Sequence, residues 1–561
     1  MSVFIGYPSF MAYQMMKGKK DNNDGFPSIT GMIARYSTLG LTNEQMAENP
    51  VWKDLTGNRH DLQMKNFAWS GMSGVGSYVQ NFNYFRIRNN TTVVDKIRID
   101  EQSSNSIKVT VLATIINAIY IPRNIYQFNK SYFIKISSEG YNEGDLSLSF
   151  YALSTSTATT VKVPLNPNGI TEIPAIKEDD FLAVYLNVGK AGSITIEQLP
   201  LYPGALVFDG VDDYGACDNF PILTKEKGYT VVVLRQWISM GEGISGLVSN
   251  VKNWFNDGAF ILEYNSNSAT NKFVNRPVSF GNVNIEIDLP NNFTYQTSKS
   301  YKGVPITIGS FKGTNSLFVG KLNTIIGNCS NVAIWELVFL DHDATEEELT
   351  KIKDYFVKTY PWLFPNQAWT VTGKTNEDED RATIANITGN GNNLVLSNFG
   401  FAEGSGYNEE GEYAGYLVTD EVDDKAVSKQ FKFGENFTVI LDFKFPVKKI
   451  SYCDFDLSSK VRIQNLQGSG VYVVLKGNKT LIPSNVVRAV TSEGKVYDEN
   501  WNEYNIVPGN ISSNYTMVNL GFDGSNQFAE SATKLAGIYS STLSKDDCIK
   551  AYNYLQSLKA K

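Results

Sequence analysis

The segment 206–215, LVFDGVDDYG, places three carboxylates, Asp209, Asp212 and Asp213, within a single turn. Groups of this kind can contribute oxygens to a calcium ion, which takes six to eight of them, usually from several loops. They can also divide general acid and base duties in a hydrolysis. A third role is to shape a corner: aspartate side chains accept from nearby backbone N–H groups, and Gly210 tolerates positive φ. The spacing of an EF-hand is absent, so the corner is the expectation. Calcium held by Asp209, Asp212 and Asp213 is the alternative.

Other residues with chemical potential are few. The strand-like NIEIDLPNN offers Glu286 and Asp288, with Asn291 where a third acid would stand. A retaining glycosidase needs two carboxyl groups about 5–5.5 Å apart, and one strand with a missing acid does not supply the pair. The two histidines, His60 and His342, both fall at polar turns, and no Gly-x-Ser-x-Gly elbow accompanies them. GEGISG (241–246) and NGITE (168–172) read as loops, lacking the lysine and the strand-to-helix context of a phosphate cradle. Trp237, Trp254, Tyr264, Tyr295 and Trp501 could stack on sugars, but aromatics in β-sandwiches more often pack in cores or rims. No catalytic residue and no cofactor is assigned, and the chain is expected not to be an enzyme.

Bulk properties narrow the class. At 561 residues the chain exceeds one hydrophobic core. Charged content is low and Tyr, Phe and Gly are plentiful, a balance that suits β-rich domains. The net charge of −8 supplies no basic field for phosphates, so no nucleic-acid partner is expected. Cys217, Cys329, Cys453 and Cys548 are widely spaced and form neither a disulfide framework nor a zinc pattern, which suits folding in a reducing cytosol. The amino terminus places its lysines after the apolar stretch, the reverse of a secretory signal. The longest apolar-leaning run, VTVLATIINAIYI, is too short for the ~20 residues of a membrane helix. Neither export by a signal peptide nor membrane insertion is expected.

The acidic turn is one part of a repeat. DLTGNRHDLQMKNFAW from Asp54 is echoed by NITGNGNNLVLSNFGF from Asn386, with Thr56 and Thr388, like Phe67 and Phe399, 332 residues apart. LVFDGVDD from Leu206 is echoed by LVTDEVDD from Leu417, which sets Asp420, Asp423 and Asp424 opposite the first three aspartates and Glu421 opposite Gly210. A strand follows in each copy, YTVVVLRQW and FTVILDFKF, and each copy ends in a strand and a short helix. Thr345 with Glu348 has capping-box spacing, and Leu349, Ile352 and Phe356 share one helical face; Ser544, Asp547, Ile549, Tyr552 and Leu555 repeat the arrangement. Copy one carries 121 extra residues between its Asn-Phe element and its acidic turn. Seven short runs rich in β-branched and aromatic residues, separated by turns such as NPNG, make that insert a β-sandwich.

FDGVDDY, preceded by DLTGN and followed by a closing strand and an EEEL helix, resembles the concanavalin A-like jelly roll of laminin-G-like modules. The resemblance implies an all-β chain of two concanavalin A-like jelly-roll sandwiches, the first interrupted by an inserted β-sandwich domain. The boundaries expected are 1–30 for an amino-terminal lead, 31–78 plus 202–364 for the first module, 79–201 for the insert and 365–561 for the second module. The lead, rich in methionine and aromatics, is the expected attachment segment; the plain alternative is an unstructured tail. ARYSTLGLTNEQMAENPVWKDLTGNRHDLQMKNFAWSGMSG and ITIEQLPLYPGALVFDGVDDYG also resemble structural proteins of phages and prophages of gut Bacteroidales. That likeness implies a tail-fibre, tail-tip or head-fibre component, made in the bacterial cytoplasm and carried on the virion. Its partners would be other virion proteins, further copies of itself as a homo-oligomer (a trimer, as fibres commonly are) and host surface glycans. The competing expectation is a secreted bacterial glycan-binding or glycan-cleaving protein.

Overall fold

A computed structural model of the chain describes residues 24–558 with breaks, the longest at 251–260, 276–292, 306–313 and 445–454. The fold is all-β, and its described strand pairs are antiparallel. Two compact units are formed, 1–77 with 202–359 and 78–201 with 360–561.

In the first unit an eight-stranded sheet faces a seven-stranded one. The central strands, Thr230–Ser239 and Asn331–Leu340, pair along almost their whole length and are buried along nearly all of it. Such near-continuous burial requires cover on both faces. Tyr36, Val231, Val233 and Leu337 meet Leu62, Met64, Leu317 and Val319 in one core between the sheets. On another face of the larger sheet the helix Glu346–Thr359 sets Phe356 against Phe293, ring centroids 5.9 Å apart. The capping box closes as expected: the Thr345 N–H donates to Glu348 Oε2 at 2.9 Å, and the Glu348 N–H donates to Thr345 Oγ1 at 3.3 Å. GEGISG is not wholly a loop, because its end opens the strand Ile244–Ser249.

Of the amino-terminal lead, residues 1–23 lie outside the described residues. Its last residues are pinned to the first unit. Arg35 is buried and pairs with Glu336 at 3.2 Å and with Asp24 at 2.7 Å, while the Phe26 ring lies 3.9 Å from its guanidinium carbon.

The second unit contains a sandwich of two five-stranded sheets over 86–198 with its own core, including Ile107, Val109, Ile119, Phe150, Val184 and Ile194. The seven expected strands form with three further ones, Arg86–Ile87 and two that alter the reading. Ile115–Pro122 is a strand in its own right, separated from Ser106–Val111 by a turn that carries no Gly, Pro or Asn. NGITE is not a loop: Ile170–Ile173 pairs with Tyr132–Glu139.

The remainder of the second unit repeats the first unit's topology. Gly406–Asn408, Tyr416–Thr419, Ser531–Tyr539, Thr438–Lys444 and Ala489–Thr491 follow one another across a sheet in the order of Gly74–Val75, Leu206–Asp209, Asn331–Leu340, Thr230–Ser239 and Phe293–Thr297. Even the bulge in the long strand recurs, at Leu234/Arg235 and at Asp442/Phe443.

Candidate functional site

The acidic turn joins the strand Leu206–Asp209, which belongs to one sheet, to the strand Tyr214–Cys217, which belongs to the other. Two strands can change sheets in so few residues only if the backbone bends sharply and its polar groups are satisfied on the way. Asp209 Oδ1 accepts from the Val211 and Asp212 N–H groups at 2.8 and 3.4 Å. Asp213 reaches back, its Oδ2 accepting from the Asp209 N–H at 3.0 Å. Gly210 sits at φ +81. The Ser73 hydroxyl accepts from the Ala68 N–H at 2.9 Å and bonds to the Asp213 carboxylate.

The second copy reproduces these contacts. Asp420 Oδ1 accepts from Val422 and Asp423 at 3.0 and 3.2 Å, and Asp424 Oδ2 accepts from the Asp420 N–H at 2.9 Å. Ser405 takes the Gly400 N–H at 2.7 Å and bonds to Asp424, as Ser73 does in copy one. Glu421, which stands where copy one has Gly210, lies outside the described residues.

Each triad brings one oxygen from every aspartate within 4.8 Å of the others, a spacing that fits a cation. The donor set argues against one. Asp209 already accepts two backbone N–H groups and Asp420 three, and only Asp212 and Asp423 of the two triads expose their side chains. Asp213 and Asp424 are fully buried, and in each the Oδ1 atom has no hydrogen-bond partner among the described residues. Burial pushes the Asp213 carboxyl up to about 7 and the Asp424 carboxyl up as well, against the Ser73 and Ser405 hydrogen bonds. A buried carboxyl bonded to the backbone of its own turn serves as a strut of the corner.

Glu286, Asp288 and Asn291, and with them the strand weighed as a glycosidase signature, lie outside the described residues, as does Trp254. Trp237 and Trp501 are buried and contribute to packing. His342 bridges Asp341 and Glu348 at 3.1 and 3.3 Å, and hydrogen bonds to both carboxylates raise its pKa although burial opposes the shift.

Sequence reasoning passed over His60. Its backbone is pinned from both sides, the N–H donating to Asp54 Oδ2 at 3.1 Å and the carbonyl accepting from the Tyr36 hydroxyl. Its ring packs against Phe220, centroids 5.6 Å apart, and Nδ1 has no hydrogen-bond partner among the described residues. The imidazole lines a cavity of about 410 Å³ in the first unit, together with Asn58, Ile222, Leu223, Lys227 and Asp341. Gly31 and Gly228, both at φ +77, form part of its wall, and a Cβ on Gly31 would collide with the Asp341 carboxylate. The available signal was that the chain has only two histidines and each follows a conspicuous element of the repeat; spacing alone does not bring 60 and 341 together.

No protein-family model matches the chain, and no curated protein matches it. Among solved structures it is similar to Trypanosoma rangeli sialidase, with TM-score 0.25 and 11% identity over 84% of this chain and 94% of that one. A mutant of that sialidase displaying trans-sialidase activity gives TM-score 0.27 and 10% identity over 84% and 86%. The binding domain of botulinum neurotoxin serotype D gives 0.22 and 10% over 60% and 88%. At these scores the likenesses say nothing of substrate or site.

Proposed function

We propose that the chain is a non-enzymatic structural component of a phage particle, a fibre or appendage whose β-sandwiches contact other virion proteins and host surface glycans. The observation that carries this reading is a framework held constant while the surface around it changes. The corner bonds of Asp209 and Asp213 recur at Asp420 and Asp424, and Asn58 is kept as Asn390, yet the titratable residues lining the cavity of copy one, His60, Lys227 and Asp341, are not kept at the matching positions of copy two. His60 is matched by Asn392, whose carbonyl accepts from Trp369 Nε1 as that of His60 does from Tyr36. Duplicated scaffolds with separately varied rims suit display and recognition. The assignment to a virion rests on the phage-like segments beginning at Ala34 and Ile194.

The test is to purify particles from an induced host culture, identify their proteins by mass spectrometry and label them with antibody for electron microscopy. The chain is expected in the particle at several copies, at one position on head or tail. Its absence from particles, together with release of reducing ends from host polysaccharide, would overturn the proposal. If cleavage is seen, Glu286→Gln decides whether that strand is responsible.

A further inference from the structure

The cavity beside His60 has features that the acidic corners lack. Its volume of about 410 Å³ falls in the range of roughly 300–1,000 Å³ occupied by small-ligand sites. Its wall mixes a carboxylate, an ammonium, an amide and an imidazole, from Asp341, Lys227, Asn58 and His60. These groups come from three separate segments, Asn58 and His60 sharing one turn. Beside them lies an apolar patch that includes Leu223 and the half-exposed Ile222.

That lining selects for chemistry. One ammonium and one carboxylate roughly cancel, so a phosphate or a polyanion gains little there. A purely apolar ligand would strand polar groups, at a cost. Donors and acceptors set side by side next to a small apolar face match a molecule whose hydroxyls each donate and accept while its C–H face is apolar. A sugar ring has that character. His60 adds preorganisation: its backbone is fixed on both sides.

We propose that this cavity binds one uncharged sugar residue of a surface glycan, with Asp341, Lys227 and His60 holding its hydroxyls and Ile222 its apolar face. The inference rests on the glycan-binding part of the proposed function and gives it a location. The second copy provides the control. Leu340 and Tyr539 end the closing strands and pair with Thr230 and Thr438, so Asp341 is matched by Ser540. Tyr229 and Phe437 open the long strand in the repeat, so Lys227 is matched by Glu435. His60→Asn, Lys227→Glu and Asp341→Ser therefore install residues that the same framework already carries.

The experiment uses the full chain and saturation-transfer NMR. The probes are capsular polysaccharides of Bacteroidales and the methyl glycosides of galactose, glucose, N-acetylglucosamine and N-acetylgalactosamine. The unaltered chain should bind at least one polysaccharide and one glycoside, and the triple variant should bind about tenfold more weakly at an unchanged Tm. With only two histidines in the chain, the His60 ring protons, assigned by His60→Asn, should shift on adding the glycoside. Polysaccharide binding that is undiminished in the triple variant, or a His60 signal indifferent to ligand, would sink the site and leave glycan binding standing. No binding of any probe by the unaltered chain would sink both.

Discussion

Asn66 donates its side-chain amide to the carbonyl of Asp212 at 3.0 Å, from a backbone held at φ +68. Asn398 does the same to Asp423 at 3.0 Å, from φ +71. The pairing explains why asparagine stands at both positions: it is among the few residues with a Cβ that enter the left-handed region readily, and its amide fastens the far side of the acidic turn. Asn66→Ala should lower stability by about 1–2 kcal/mol, the sum of a hydrogen bond and a left-handed backbone penalty. Asn66→Gly should recover the backbone part, and urea denaturation of the three chains would separate the two contributions.

Gly210 is under a tighter constraint. A Cβ there would stand 2.8 Å from the Asn331 Cβ, on a backbone at φ +81. Gly210→Ala should cost about 1–2 kcal/mol for conformation alone, more if Asn331 must move. A Tm equal to that of the unaltered chain would show that the turn relaxes freely.

The Arg35–Glu336 pair is buried, and removing Glu336 leaves the guanidinium only the partly exposed Asp24 as an anionic partner. Glu336→Gln should destabilise the first unit by about 3–5 kcal/mol. Asp24 is a third exposed, so Asp24→Ala should cost less, about 1 kcal/mol or below. Equal losses in the two variants, measured by urea denaturation, would contradict this ordering.

How much of this was legible depends on how local the signal is. The corner, the capping box at Thr345 and the repeat were readable because each rests on residues within a few positions or on literal recurrence. The strand Ile115–Pro122 was not, because the turn before it, through Leu112 and Ala113, lacks the Gly, Pro or Asn that marks a break. NGITE failed for the opposite reason: a Gly and an Asn at its start concealed four residues that pair with Tyr132–Glu139. The cavity was beyond reach, since Asn58, Lys227 and Asp341 meet only through the sheet order.

Asp213 should leave a trace in the pH dependence of stability. An unfolded aspartate titrates near 3.9, while burial holds Asp213 at about 7 in the fold. Between those values the folded chain keeps a proton that the unfolded chain has lost. Stability from this group is therefore complete below about 4, declines as pH rises to about 7 and is level above that. Asp213→Asn cannot ionise but keeps an acceptor for the Asp209 N–H. It should gain on the unaltered chain as pH rises from about 5 to about 8, and parallel denaturation curves at the two pH values would contradict the shift.

The central claim is that both acidic corners serve the backbone. Asp212 and Asp423 discriminate best, because their carboxylates are exposed and would serve a cation first. Thermal denaturation of the unaltered chain and of the Asp212→Ala, Asp423→Ala double variant, each in about 1 mM calcium, a concentration that fills even weak extracellular sites, and in EDTA, is the direct measurement. The account predicts one Tm for each protein whether calcium is present or chelated. A calcium-dependent rise in the unaltered chain that disappears in the double variant would contradict it.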